Sequence, residues 1–249
     1  MLIDTHVHLL ESKTCRPDWS EISYTFHVAK EKNIDVLCVT EHRDAVGYEE
    51  LFIEIFLENR LGGQLNADGA LQLAAGTIIR PAAEVSLFGG GDMGVHSDLN
   101  TVMSLSGRKN EYNVEDLLSF LSGRGEDYVS VAHHLLLNGK WWAGFEQVIH
   151  LVDAIEIPGK QASVMDDYLK LAVRHSKSRL SGSDAHTWIQ LGAGLTRIEY
   201  EADRTKGVLG FDTALFKKFV LENETVPCVS NSADELVRIA RLYKGRPGL

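Results

Sequence analysis

The chain has 249 residues, 44% hydrophobic and 24% charged, with 22 glycines and 5 prolines, which excludes a disordered or fibrous protein and leaves room for one large domain. Its 35 acidic residues against 25 basic ones give a formal net charge of -10, so the overall charge supplies no attraction to an anionic membrane or a nucleic-acid backbone, and a long nucleic-acid partner is not expected. Three scattered cysteines, Cys15, Cys38 and Cys228, form no C-x-x-C pair, and MLIDTH lacks a signal-peptide pattern. Both features exclude a disulfide framework or thiolate zinc site and lead to the expectation of an unanchored, cytoplasmic protein.

Short apolar runs alternate with stretches of helical period, the pattern of repeated β-α units around buried parallel strands. The first strand is expected at about residues 2 to 7, and SEISYTFHVAKEKN follows as a helix with Ser20 as N-cap and Ile22, Phe26 and Ala29 on its inner face. IDVLCVT (34 to 40) reads as the second strand and VGYEELFIEIFLENRL as a helix stopped by Gly62 and Gly63. GTIIRPAAEVSLF (76 to 88) contains the next strand, closed by a turn at glycines 89 to 91. After it come a short strand in GVHSDLN, a helix in VEDLLSFLS, a strand in YVSVAHH, a helix in WWAGFEQVIHL and a short strand in DAIEI (153 to 157). A helix near MDDYLKLAVRHSK leads into the strand of RLSGSDAH, and FDTALFKKFVLEN and SADELVRIARLY read as two further helices. About seven strands, with no internal repeat and no interior linker, point to a single α/β barrel.

Candidate ligands stand at the C-terminal ends of successive predicted strands: DTHVH (4 to 8), TEH (40 to 42), AAE (82 to 84), VAHH (131 to 134) and GSDAH (182 to 186). In a barrel of parallel strands these ends open on one face, so residues far apart in sequence converge in one pocket. The period of two places His6 and His8 on one side of their strand, and imidazoles mixed with carboxylates suit Zn, Mn or Fe better than Mg or Ca. By the same alternation His134 points away from His133, with substrate contact its more natural role. His27, His150 and His175 fall in predicted helices outside any ligand spacing and read as surface or packing residues. Trp141 and Trp142 serve either the pocket mouth or apolar burial. GGGD (89 to 92) lacks the lysine and the strand-to-helix context of a phosphate loop.

Taken together, DTHVH, TEH, the Glu of AAEVS, VHSD, AHH and GSDAH resemble the polymerase-and-histidinol-phosphatase (PHP) superfamily over residues 4 to 186. The resemblance implies a distorted (β/α)7 barrel, TIM-like, as one domain over residues 1 to 249, with a helical closing segment from about 205 to 249. It also implies a metal-dependent phosphoesterase with two or three divalent ions. Carried over by position, His6 and His8 with Glu84 as bridging carboxylate and Asp184 should hold the first ion, and Glu84, His96 and His133 the second. His42 and His186 should hold the third with a partner from the loop after the first strand. In place of the family's usual S-D-G this loop reads CRPDWS, where Asp18 is the nearest match and Glu11 and Cys15 are rivals. The usual TDH is TEH, which puts Glu41 behind a ligand. Asp4, sharing a side with the histidine pair by parity, and Glu156 of DAIEI should support the pocket.

Such ions would neutralise phosphate oxygens and generate a nucleophile from water. Arg16, Arg43 and Lys140, each close in sequence to a ligand, are candidates to grip the phosphate. Glu84, Asp184, His134 and His186 are the expected catalytic residues, the proton donor being His134, His186 or a water. The expected partner is a small phosphorylated substrate. Two other readings stand beside this one. Amidohydrolases also begin with H-x-H but commonly bridge their ions with a carboxylated lysine, whereas Glu84 holds that place here. Non-catalytic modules of PHP type usually lose several ligands, which this chain retains.

Overall fold

The computed structural model describes residues 1–200 and 211–245, so the stretches 205–210 and 246–249 of the expected closing segment lie outside the described residues. In chain order the elements are β1 (Leu2–Val7), α1 (Trp19–Glu31), β2 (Val36–His42), α2 (Tyr48–Phe52), the short ribbon β3 (Gln64–Leu65) and β4 (Leu71–Gln72), β5 (Ile78–Ser86), β6 (Asp92–Ser97), α3 (Leu99–Ser104), α4 (Val114–Arg124), β7 (Tyr128–Ala132), α5 (Phe145–Val148), β8 (Ala154–Glu156), α6 (Met165–Arg174), β9 (Ser178–Leu180), β10 (Gly194–Ile198), α7 (Thr213–Leu221), β11 (Thr225–Val229) and α8 (Ala233–Lys244). None of these helices is long and apolar enough to cross a membrane.

The main sheet runs β11-β10-β1-β2-β5-β6-β7-β8-β9 and curls until its ends meet. Beyond β9 the chain forms a parallel bridge from Ala185 to Val7, with Asp184 N donating to His6 O and His8 N donating to Ala185 O, both at 2.8 Å. Seven strands therefore ring the axis in the expected α/β barrel. At the other end of β1, β10 pairs with it antiparallel and β11 pairs with β10. Thr225 Oγ1 on β11 reaches Arg179 O on β9 at 3.0 Å, so these two strands fill the gap beneath the bridge. They were not expected from the sequence; Pro227 inside TVPCV, a weak strand signal, sits on the outer strand, where a missing N–H costs least.

The barrel departs from a simple β-α repeat at β6, which is antiparallel to both neighbours. The cause is local: Gly89, Gly90 and Gly91 all have φ between +76° and +107°, a run that only glycine adopts at low cost, and it folds β5 straight back into β6. Two expected helices shorten. The first keeps Tyr48–Phe52 and continues as a π turn over Ile53–Leu57. WWAGFEQVIHL keeps only Phe145–Val148 and a 3-10 turn, because Gly144 at φ +67° precedes it.

Two apolar layers position the site. Outward-facing residues such as Val7, Leu37, Val39, Ile79 and Ile155 pack on Ile22, Phe26 and Ala29 of α1, Leu117 and Leu121 of α4, and Tyr168 and Ala172 of α6. Inward residues Val36, Cys38, Ile78, Ala82, Val129, Val131 and Ala154 form a second cluster with Phe216 and Phe219 of α7. By the period of two, the same strand faces continue to His42, Glu84, His133 and Glu156. The barrel interior is thus polar at its C-terminal rim and mostly apolar below, with the buried Arg80 set among these residues and donating to Phe211 O and Thr213 Oγ1.

Candidate metal centre

β1 supplies His6 and His8, both buried, with their Nε2 atoms 3.0 Å apart. Each ring is held from behind by a carboxylate: His6 Nδ1 lies 2.6 Å from Glu156 Oε1, and His8 Nδ1 3.1 Å from Glu41 Oε1. Glu41 is fixed in turn by the amides of Leu9 and Leu10, at 3.0 and 2.9 Å from its Oε2. Such backing sets the tautomer and leaves Nε2 of each ring free to ligate. Asp4 does not follow the simple alternation, since the β1–β2 ladder slips between Asp4 and Val7. Its carboxylate accepts from Ser183 N at 2.9 Å and Gly192 N at 3.1 Å, which anchors the loop that carries Asp184.

Glu84, on the inner face of β5, stands between two sets of imidazoles. Its Oε1 is 3.0 Å from His133 Nδ1, 2.9 Å from His134 Nε2 and 3.5 Å from His6 Nε2, while its Oε2 is 2.5 Å from His42 Nδ1 and 3.8 Å from His8 Nε2. Asp184 Oδ1 lies 3.4 Å from His8 Nε2, 3.6 Å from His186 Nδ1 and 3.9 Å from His6 Nε2. The donor atoms fall into three groups, each able to hold a metal ion: His6, Glu84, His133 and His134; His8, His42 and His186; and His6, His8 and Asp184. The fit to divalent ions is chemical as well as spatial. Glu84 Oε2, Asp184 Oδ2 and His42 Nδ1 are buried without a hydrogen bond, although His42 touches the first of these oxygens and Lys160 the second. Buried carboxylates gathered in this way are expensive unless a cation balances them, and in the ion-free chain His42 and Lys160 stand where one would.

Electrostatics in the cluster follow from burial set against neighbours. Burial alone would raise Glu84 and Asp184, but His42, His133 and His134 around the first and Lys160 and His6 around the second outweigh it, and both stay well below the usual carboxylate range. Glu156 is lowered to about 2, its burial outweighed by His6 and His133. Burial lowers His8 and His134 too, yet Glu41 and Asp184 lift His8 to about 10, and Glu84 lifts His134 to about 9. Burial and His8 push His186 down to about 3.

Several sequence expectations are placed differently. His96 joins none of the groups. Because β6 is antiparallel, Gly94 lies opposite Glu84 and His96 lies a step lower, opposite Ala82 and Val129, with its ring edge-on to Phe216. His134 takes a place beside His133 instead. The extended alternation ends at Ala132, and His134 at φ +29° turns its ring back toward Glu84. Asp184 shares this left-handed backbone at φ +49°, and unusual backbone of this kind gathers at functional sites. Asp18 is the N-cap of α1, in place of Ser20; its Oδ1 accepts from Ser20 N at 2.9 Å. It lies outside the ligand groups, as do its rivals Glu11 and Cys15. All three line a cavity of about 420 Å³ that opens on His8 and His186 and is walled by Arg16, Tyr243 and Lys244.

Of the expected phosphate grips, only Arg16 lines the cavity beside His8 and His186, and all three pair with carboxylates. Arg16 pairs with Glu50 at 2.7 Å, Arg43 with Glu49 at 2.7 Å while lying over the Tyr48 ring, and Lys140 with Asp92. The cation that enters the cluster is Lys160, ion-paired with Asp184. Sequence reasoning missed it; the available signal was its place just past Glu156, in a loop at the C-terminal rim. Trp142 is buried, the use as apolar burial, and Trp141 is 46% exposed with its ring against Phe145. His27 and His150 are exposed, and His175 packs edge-on against Phe145.

Fold and site together define an α/β barrel protein with a histidine–carboxylate cluster, able to bind metal, at the C-terminal rim. The chain belongs to the family of PsfC from Pseudomonas syringae PB-5123, whose crystal structure it matches at 36% identity and a TM-score of 0.85 over 98% of this chain and 97% of that one. It is also similar in fold to the lesion-specific endonuclease PfuEndoQ from Pyrococcus furiosus, at 16% identity and a TM-score of 0.61, covering 89% of this chain and 56% of that one. A complex of Endonuclease Q with a 27-mer duplex carrying an abasic lesion matches at 16% identity and a TM-score of 0.58, over 88% of this chain and 56% of that one. That protein takes duplex nucleic acid on a related fold, so the expectation against a nucleic-acid partner, drawn from net charge, finds no support. No family model matches the chain. No curated protein matches it either.

Proposed function

We propose that the protein is a metal-dependent phosphoesterase of the PHP type that hydrolyses a small phosphate ester. The observation that carries this reading is Glu84: one buried carboxylate whose two oxygens face separate histidine sets, the arrangement a bridging ligand needs. Because each free Nε2 has one lone pair and serves one ion, His6, His8 and Asp184 would hold one ion, Glu84 with His133 and His134 a second, and the other oxygen of Glu84 with His42 and His186 a third, with zinc, manganese or iron favoured by the donor set. When bound, such ions neutralise phosphate oxygens and lower the pKa of water enough to make a nucleophile near neutral pH. The chain's own part is to fix that geometry. Glu41 and Glu156 hold the rings of His8 and His6, Asp4 holds the loop of Asp184, and the apolar layer below keeps water from entering beneath the site. His186 stays uncharged because burial and His8 depress it to about 3, which suits a ligand rather than a proton donor.

The cavity of about 420 Å³ beside His8 and His186 suits a small molecule and supports a compact ester over an extended polymer. The test is a panel of monoesters, diesters and short duplexes offered to protein loaded with each metal. Release of phosphate from a small monoester, abolished by chelation and restored by metal, is the expected result. Cleavage of duplexes alone would move the reading to a nuclease, and full metal loading without cleavage of any ester would sink it.

A further inference from the structure

Lys160 is the one cation among the described residues that contacts the histidine–carboxylate cluster, and nothing in the expected ligand scheme accounts for it. Its backbone is firmly placed. It sits on the 3-10 turn Gly159–Val164 that follows β8, where Gly159 N donates to Gly182 O at 2.8 Å and so ties the turn to the loop bearing Asp184. A Cβ at Gly159 would lie 2.6 Å from Ala193 C and also overlap Gly194 N, so the turn rests directly on β10. From this base the side chain, 24% exposed, reaches inward to Asp184 Oδ2. That oxygen has Lys160 as its close partner and belongs to a carboxylate in one of the three ligand groups.

The charges decide what Lys160 does when ions are present. Two divalent ions would balance Glu41, Glu84, Glu156 and Asp184, the four carboxylates in contact with the histidine rings, and would compete with Lys160 for Asp184, which releases the ammonium in a site largely closed to solvent. An unpaired ammonium there is costly, and an anion brought against the ions relieves it. The side chain can make the change, since four methylenes let the ammonium swing while the histidines stay fixed. Of the other candidate grips, Arg43 and Lys140 are held by Glu49 and Asp92, and Arg16, 75% exposed in a surface pair with Glu50, lines the cavity beside His8 and His186 without entering the cluster.

We propose that Lys160 is a substrate-binding residue: its Nζ donates to an oxygen of a phosphate or similar oxyanion lying against the ions, and its contact with Asp184 is the resting position of that ammonium. The proposal rests on the metal-centre reading and names the residue that recognises the anionic group of the substrate. The test compares wild type, Lys160→Met and Lys160→Arg, each loaded with manganese, for metal content by elemental analysis and for inorganic phosphate binding by calorimetry. Expected are equal metal content in all three, phosphate affinity lower by about ten- to a hundredfold in Lys160→Met, and partial recovery in Lys160→Arg. Unchanged phosphate affinity in Lys160→Met overturns the proposal and leaves the metal centre standing. A fall in metal content with unchanged affinity at the loaded sites overturns it as well, and makes Lys160 a support of Asp184. A wild type that takes up no metal defeats the metal-centre reading, and the proposal with it.

Discussion

Gly94→Ala is a small change with a large expected effect at a defined point. Gly94 pairs across the ladder with Glu84, and its bare Cα leaves room for the His133 ring. A Cβ built there would overlap His133 Nε2 and lie 2.7 Å from Cε1 and 3.0 Å from Cδ2, where ordinary contact begins at 3.4 Å. The ring would have to retreat by roughly 1 Å, while metal–ligand distances tolerate only about 0.2 Å. The 3.0 Å contact of His133 Nδ1 with Glu84 Oε1 would go with it. The backbone itself is unstrained by the change, since Gly94 is not among the positive-φ positions. Overpacking should cost about 1–3 kcal/mol and leave the chain folded. Affinity for the ion held by Glu84, His133 and His134 should fall by about a hundredfold. Elemental analysis after dialysis against a defined metal concentration, with thermal unfolding to verify the fold, measures both. Gly123→Ala, where a Cβ meets nothing within 4 Å, is the control and should leave metal content unchanged. A folded Gly94→Ala protein with wild-type metal content and affinity would refute this reasoning.

His134→Ala should lose an ion, whereas His96→Ala should keep full metal content and cost only about 1–3 kcal/mol from its buried position; parallel metal analyses of the two variants decide between them. Asp18→Ala should lower stability by about 1 kcal/mol through loss of the α1 cap, with metal content intact, as denaturant titration and elemental analysis would show. Metal affinity should rise with pH. His8 and His134, held up to about 10 and about 9, are protonated at neutral pH in the ion-free chain and must lose those protons to ligate. Up to about two protons should leave on loading, one for the ion that His8 joins and one for the ion that His134 joins, so each of those affinities falls by about tenfold for each pH unit below 9. Calorimetry in buffers of different ionisation enthalpy counts them, and zero proton release at pH 7 would contradict the assignment.

The α/β barrel was legible because β1, β2, β5 and β7 are short apolar runs whose C-terminal ends carry chemistry, and buried parallel strands have that signature. Glu84, His6, His8, His42, His133, Asp184 and His186 came together as the strand ends implied. What escaped the sequence were departures from regular geometry. Placing His96 required knowing that three glycines reverse the chain into an antiparallel β6, which lowers it by one step. His134 required knowing that the strand stops at Ala132, because parity arguments hold only while the chain is extended. The slip in β1 likewise removed Asp4 from its expected side. Asp18 and Ser20 are both good cap residues two positions apart, and local pattern does not choose between them. β10 and β11 were invisible because their short, partly exposed strands carry neither a buried apolar run nor a ligand. Lys160 was overlooked because nearness in sequence to a ligand is a poor guide to nearness in space.

Metal titration of chelator-stripped protein is the most direct test of the claim that the rim cluster is a metal centre. With manganese, zinc or iron(II), and Glu84→Ala alongside, the account predicts two to three ions per wild-type chain and loss of at least one from the variant, both proteins remaining folded. A folded wild-type chain that binds none of these ions, or a Glu84→Ala chain that binds as many as wild type with equal affinity, would contradict it.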